Sequence, residues 1–367
     1  MNRLTAIFRR FDWVLFGSAL ALTIFGLAVL YSTSLGTGAA AGEFANFRKQ
    51  LAFAGVGAAV AVAFTLVNYR YLSNFSKVLY VVSVLLLMAV LIMGQTTRGA
   101  RSWFGFGGFG IQPVEFVKLF LVVFLAKFFS DYARDHRPFL PIAGSGLAFG
   151  ALFCLVAIQP DFGSAFLLGI IWFSMLLIAG VKRSHLLALA IFAAVVAATA
   201  WLLVLQPYQK DRVLAFLDPG RDPLGRGYNV TQSVIAVGSG GFFGRGLGYG
   251  SQSQLHFLPE RQTDFIFAAT AEELGFLGVL LVCGLFAIIF YRCFILAKNA
   301  RDDFSLFLVL GIAISLAAEV AVNVGGNLRL MPVTGITLPF LSYGGSSLLA
   351  KFLTLGVLES VAVRSAR

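Results

Sequence analysis

The chain reads as an all-α membrane protein, a polytopic bundle of about ten transmembrane helices carrying one large extracytoplasmic loop. Three observations predict this. Hydrophobic residues make up 59% of the 367 positions and charged residues only 12%, against roughly 45–50% and 25% in soluble domains. The apolar residues fall in runs near or above the roughly 18 needed to cross a hydrocarbon core of about 30 Å. The connectors are mostly short and no low-complexity linker divides the chain, so residues 1–367 read as a single transmembrane domain.

The runs lie at 13–32, 51–68, 78–94, 114–131, 139–158, 162–180, 185–206, 264–291, 303–324 and 336–362. Lipid offers irregular backbone no hydrogen bonds, so each run is expected to be helical, and the alternating ten-residue strands of a membrane barrel are not seen. The first run follows Arg3, Arg9 and Arg10 and lacks a small-residue cleavage site, which predicts an uncleaved anchor. An even number of spans puts both termini on one side. Lys and Arg number 14 in the N terminus and alternate connectors, including Arg134 and Arg137, against 5 in the other short connectors. By the positive-inside rule the termini are cytoplasmic and the long 207–263 loop lies outside. The formal charge of +11 is scattered over loop ends and forms no basic stripe, which argues against a nucleic-acid partner. Cys154, Cys283 and Cys293 sit in apolar runs without metal spacing.

The outer loop carries turn chemistry at Asp218-Pro219-Gly220 and Asp222-Pro223-Leu224-Gly225, a short helix expected over 228–237, and a glycine-rich stretch over 238–250. Those glycines fit neither the dinucleotide fingerprint nor the Walker spacing, which argues against a nucleotide site. Ionisable groups near membrane depth read either as functional sites or as buried pairs. Glu115 and Lys118, three apart, share a helical face and fit an intrahelical ion pair. Asp161 fits a turn or a helix cap, and Glu272 and Glu319 fit partners of buried cations or hydroxyls. Lys127 and Lys351 are expected to snorkel to the inner surface. Asp264 opens the eighth run, either as an acid stabilised by the helix dipole or as a functional carboxylate, with Glu272 about 12 Å deeper on the same helix. Ser342 belongs to a hydroxyl-rich and small-residue start of the last run.

Five ordered motifs then become specific. They are the stretch from Arg98 ending in Ile111-Gln112-Pro113-Val114-Glu115-Phe116-Val117-Lys118; Gln159-Pro160-Asp161-Phe162-Gly163; Gln232-Ser233 with Gly240-Gly241; Leu258-Pro259-Glu260-Arg261-Gln262-Thr263-Asp264 with Glu272-Glu273-Leu274-Gly275; and Met331-Pro332-Val333-Thr334-Gly335 through Ser347. Together they resemble the SEDS family (shape, elongation, division and sporulation). Gly250-Ser251-Gln252-Ser253-Gln254-Leu255 resembles the elongation-type form of its loop. Gln262 and Val114 depart from the family's common His and Ser and remove no charged position.

The resemblance implies a peptidoglycan glycosyltransferase of the bacterial cytoplasmic (inner) membrane that polymerises lipid II on the outer side during cell elongation and rod-shape maintenance. Its implied partners are a class B penicillin-binding protein and the elongation machinery. Asp264 matches the family's essential aspartate and is the expected general base. Lys118 is the first candidate to meet leaving-group charge, with Arg101 and Arg245 weaker; Glu115, Glu260, Arg261 and Ser342 are candidates to position substrate. A divalent cation, Mg or Mn, is compatible with this chemistry, although no complete ligand set is readable. Two other classes stay open: a lipid II flippase, which would place key groups near the midplane in repeated halves, and a non-catalytic scaffold for the penicillin-binding protein.

Overall fold

The computed structural model describes residues 8–35, 41–97, 100–106, 109–132, 140–203, 210, 214, 216, 218 and 226–365. The turn residues 219, 220 and 222–225, Arg98, Arg3, and the connector charges at 134, 137 and 367 lie outside the described residues.

The chain folds as an all-α polytopic membrane protein. Its elements run α1 (Trp13–Ser34), α2 (Ala41–Leu66), the short α3 (Tyr69–Asn74), α4 (Ser76–Met93), β1 (Gln95–Thr97), β2 (Ala100–Phe106), β3 (Phe109–Ile111), α5 (Val114–Tyr132), α6 (Leu140–Ile158), α7 (Phe162–Ile178) and α8 (Arg183–Leu203). These are followed by α9 (Arg226–Ser239), the single turn α10 (Ser251–Gln254), α11 (Ile266–Lys298), α12 (Asp303–Asn327) and α13 (Gly345–Ser365). Among the described residues seven helices are long and apolar enough to cross a membrane: α1, α2 over Phe44–Leu66, α4, α8, α11, α12 and α13. Ile142–Ile158 and α7 are shorter apolar helices, and α5 spans 19 residues that include Glu115, Lys118, Lys127 and Asp131. The expected loop helix over 228–237 appears within α9.

Burial separates centre from periphery. In α13, 83% of the apolar stretch is buried, against 6% in α8, whose Leu187, Ile191 and Phe192 stay exposed as lipid-facing side chains do. A central helix must admit close neighbours, and Gly356 of α13 leaves room for the α2 backbone, since a Cβ there would meet Ala61 O at 2.7 Å. Helix starts follow capping chemistry. The Asp12 carboxylate accepts from Leu15 N at 3.1 Å and also pairs with Arg292 Nη2 at 2.6 Å, tying the start of α1 to α11. Asp302 and Ser305 form a capping box on α12.

Burial opposes the charge on Asp302. The amide and hydroxyl of Ser305, the Tyr69 hydroxyl and the nearby Arg70 charge outweigh it, so the carboxyl sits below the ordinary carboxylate value. A carboxyl depressed by folding stabilises above its unfolded value and loses that contribution as pH falls through the lowered folded one. Thermal melts of the full chain in detergent should therefore show wild type and Asp302→Asn converging as pH falls below 4; a gap that stays constant into strong acid would refute the assignment.

Three expectations need correction. The last run does not begin its helix at 336. Residues 336–344 are irregular, because Pro339 lacks an N–H and the Ser342 hydroxyl accepts the Leu338 amide at 2.8 Å, and α13 starts only at Gly345. The eighth run does not begin at 264 either. Asp264 lies in a turn before α11, so its helical spacing to Glu272 does not apply. α11 is itself broken at Gly275, whose φ of 65° and ψ of −161° are open only to glycine. This separates a buried first stretch, Ile266–Leu274, from the apolar helix beyond it. Lys351, finally, is buried rather than snorkelling, because two carboxylates meet it inside the bundle.

The sequence reading also missed the small antiparallel sheet β1-β2-β3 between α4 and α5. Its signal was present in the aromatic residues Trp103, Phe104 and Phe106, but the stretch is too short to compete with the apolar runs around it.

Candidate active site

The polar residues collect at one end of the bundle, where α1, α4, α11's neighbour α12 and α6 end and where α2, α5, α7 and α13 begin. There a cleft of about 320 Å³ opens, lined by Asp264, Lys118, Glu115, Asp161, Lys49 and Trp103 among others. Six segments build it: the start of α2, the sheet, the starts of α5 and α7, the 259–265 turn, and the irregular 334–345 stretch.

Asp264 is held through its backbone. Its carbonyl accepts from Asn323 Nδ2 at 3.0 Å and from Asn327 Nδ2 at 2.9 Å, both on α12. The Asn327 amide oxygen in turn accepts from Ala268 N at 3.1 Å, locking the start of α11 to the same helix. The preceding residues are tied to the opposite side: Ser342 Oγ donates to Thr263 O at 2.7 Å, and Tyr343 N to Gln262 O at 2.8 Å. Gln262 also donates to the hydroxyls of Thr33 and Ser34 and accepts from Asn46 Nδ2. A half-buried carboxylate on a turn flanked by buried Gln262 and Phe265 is thereby kept in one place facing the cleft. Gly335, at φ +80°, passes close to it, with room for a Cβ only 3.8 Å from Asp264 Oδ2.

At the cleft floor the expected Glu115–Lys118 pair is present at 2.9 Å, but it is half of a larger unit. Lys118 Nζ also bonds Glu319 Oε1 at 2.5 Å, and Lys351 Nζ bridges Glu115 Oε2 at 3.1 Å and Glu319 Oε1 at 2.7 Å. All four side chains are buried. Two carboxylates and two ammonium groups balance in charge, which is the condition for keeping them away from water. The Ser347 hydroxyl links the unit to the cleft wall, donating to Glu115 Oε2 at 3.3 Å and sharing a hydrogen bond of 2.9 Å with Thr337.

Other candidates are placed elsewhere. Arg101 lies on β2, exposed, with its guanidinium donating to Gly94 O and Ile92 O at 2.8 Å; it fastens the sheet to the end of α4 and does not line the cleft. Arg245 is exposed and donates to Ser239 O at 3.2 Å. Glu260 is exposed at φ +52° and accepts from Thr263 Oγ1. Arg261 is buried, donating to Thr33 O at 3.3 Å and contacting His256 Nδ1 at 2.7 Å, so it clamps the turn to α1. Ser342 acts through the backbone contacts given above. Asp161 caps α7, accepting from Ser164 N at 3.1 Å, and also borders the cleft, where Gln112 Nε2 donates to it at 3.1 Å. Lys127 pairs with Asp131 at 2.6 Å, and Glu272 accepts backbone amides rather than cations or hydroxyls.

Lys49, Trp103, Gln112 and Tyr343 line the cleft and were not singled out from sequence. Only Lys49, a charge at the head of an apolar run, carried a usable signal. Among the described residues no three carboxylate, His or Cys groups come together, so the cleft offers a divalent ion no assembled protein ligand set.

The family profile described as cell cycle protein FtsW/RodA/SpoVE matches residues 12–367. The chain belongs to the FtsW/RodA/SpoVE, or SEDS, family. Stage V sporulation protein E of Bacillus subtilis strain 168 is 39% identical over 358 residues, covering 95% of this chain and 96% of that protein. The "Probable peptidoglycan glycosyltransferase FtsW" of Trichlorobacter lovleyi is 38% identical over 360 residues, covering 96% and 93%. Among solved structures, a chain from a study of the structural coordination of polymerization and crosslinking by a peptidoglycan synthase complex aligns with a TM-score of 0.81 at 35% identity, covering 97% of this chain and 98% of that one. The rod shape determining protein RodA of Thermus thermophilus aligns with a TM-score of 0.71 at 30% identity, covering 96% of each chain. This SEDS chain thus aligns with these relatives over nearly its whole length.

Proposed function

We propose that this SEDS protein is an inverting peptidoglycan glycosyltransferase that polymerises lipid II at the outer face of the bacterial cytoplasmic membrane, with Asp264 as general base. The observation that carries the reading is that Asp264 and Lys118 line one cleft at one end of a membrane bundle, in a chain with a relative named as a peptidoglycan glycosyltransferase. The charge bias of the connectors puts that end outside, where a lipid-linked disaccharide presents its diphosphate and sugars.

An acceptor sugar hydroxyl attacks the anomeric carbon of the donor. Its proton passes to the Asp264 carboxylate, the new C–O bond forms with inversion, and the bond to the diphosphate breaks with its electron pair leaving on undecaprenyl diphosphate. Diphosphate is a good leaving group, so one base suffices. Developing negative charge needs fixed cations in a site shielded from water. Lys118, at the cleft floor against Glu115 and Glu319, and Lys49, outside that buried unit, are the lysines that border the cleft. Trp103 and Tyr343 offer flat walls for sugar rings. Asp161 and Gln112 add acceptors and donors for the disaccharide.

Assignment to elongation rests on the 250–255 segment, and restoration of rod shape, as against septation, in a depleted host tests it. A class B penicillin-binding protein as cross-linking partner is supported by the synthase-complex relative. The central experiment supplies lipid II to purified protein in vesicles and scores glycan chains separately from lipid translocation. Glycan chains support the reading; translocation without polymerisation makes the protein a flippase, and neither activity, with the partner present, makes it a scaffold. Because Asn327 holds the Asp264 carbonyl, Asn327→Ala should lower kcat roughly 10-fold to 100-fold with little change in KM. A purely structural asparagine would leave the kcat of the folded fraction unchanged.

A further inference from the structure

Two consecutive carboxylates, Glu272 and Glu273, are fully buried on the first stretch of α11, away from the cleft lining. Glu272 is accounted for: Gln252 N and Ser253 N donate to its two oxygens at 2.7 and 2.9 Å, where α10 begins. Glu273 is not. Its Oε1 accepts from Gln254 Nε2 at 2.9 Å and from Gly248 N at 3.4 Å, while its Oε2 is buried without a partner. Two further buried oxygens beside it are also without partners, Gln254 Oε1 and Ser32 Oγ. The Ser32 hydroxyl lies against the Glu273 carboxyl without a well-directed hydrogen bond, and the Gln254 amide bridges from Glu273 to Ser32 O at 3.2 Å. Among the described residues neither glutamate forms an ion pair within 4.0 Å.

A buried carboxylate, amide and hydroxyl, joined through Gln254 Nε2, form an acceptor-rich patch in which the carboxylate has no ion-pair partner within 4.0 Å among the described residues. Unmatched, such a charge is costly. A water could satisfy lone pairs but would leave the charge; a hard cation satisfies both, and oxygen donors of these three kinds are its ordinary ligands. We infer that Glu273, Gln254 and Ser32 bind a hard metal cation that braces the end of α1 and α10 against the kinked start of α11. The glycine turn above depends on the same stretch, since Arg245 N and Gly246 N donate to Glu272 O and Glu273 O at 3.0 and 2.9 Å. The cation is thus structural, at the kink that leads into the Asp264 turn, and the inference does not rest on the activity proposed above.

The test uses the full chain, purified in detergent and freed of metal by chelator and dialysis into choline chloride. Thermal unfolding is followed while sodium, magnesium or calcium chloride is titrated in separate arms, each matched in ionic strength with choline chloride. Wild type should show a saturable rise of roughly 5 °C in at least one arm. Glu273→Gln, which keeps the shape and removes the charge, should abolish it. Should that variant fail to fold, Ser32→Ala, which removes a single ligand, should move the midpoint about tenfold higher in cation. A metal retained through the chelator step would appear by elemental analysis at about one per chain in wild type and not in Glu273→Gln. A wild-type response no larger than that to choline with no retained metal, or a response unaltered in the variants, would overturn the inference and leave Glu273 protonated in the fold.

Discussion

Asp264→Asn is expected to abolish lipid II polymerisation by the reconstituted protein, with a fall in turnover of about 10²- to 10⁴-fold, the contribution typical of a positioned base. The amide preserves size and leaves the backbone carbonyl on Asn323 and Asn327, so the turn should keep its place. What disappears, on the proposed mechanism, is the group that takes the acceptor's proton. Lipid II binding to the variant in vesicles should therefore stay close to wild type while glycan output collapses. Wild-type turnover in a folded Asp264→Asn protein would remove the catalytic assignment, and loss of binding together with turnover would make the residue a substrate anchor instead.

The second large effect is expected on stability. Lys351→Met leaves Glu115, Glu319 and Lys118 buried with one negative charge in excess, and breaking such a pair costs about 3–5 kcal/mol. Adding Glu319→Gln to the same chain restores neutrality, so the double variant should unfold at a higher temperature than Lys351→Met alone. Melting of the single and double variants in detergent forms a double-mutant cycle that isolates this coupling. Additive losses would mean that the four groups do not act as a unit.

The two predictions differ in how far they were legible beforehand. Asp264 was readable because its motif is contiguous, Leu258 to Asp264, and because a carboxylate at the head of an apolar run stands out. The Glu115–Lys118 contact was readable because residues three apart on a helix are neighbours whatever the fold. The other half of the unit was not: Lys118 and Glu319 are 201 positions apart and Glu115 and Lys351 are 236 apart, so helical spacing is silent about them. Lys351 read as a snorkelling side chain because nothing local reveals an interior acceptor. Arg101 and Arg245 read as candidate cations on charge alone, yet backbone carbonyls claim both. Arg261 lay in the right motif but serves the turn's attachment to α1.

The irregular 336–344 stretch and the Asp264 turn show the same limit from the backbone side. Each looked like the apolar beginning of a span. Each is instead unwound because the other supplies its hydrogen bonds, as Ser342 does for Thr263 O and Gln262 O does for Tyr343 N. Membrane depth tolerates such chain only where protein lines it.

By itself the sequence determined the membrane-embedded character, the stretches of chain that hold the long helices, though not where α11 and α13 begin, and the family. These follow from runs of apolar residues and contiguous motifs, and the free energy of moving a segment into lipid is a sum over neighbours in the chain. Only the tertiary structure decided which charges meet, where the cleft opens and which arginines the backbone carbonyls hold. Those outcomes rest on contacts between α2, α5, α12 and α13, whose energies depend on groups hundreds of residues apart being desolvated together.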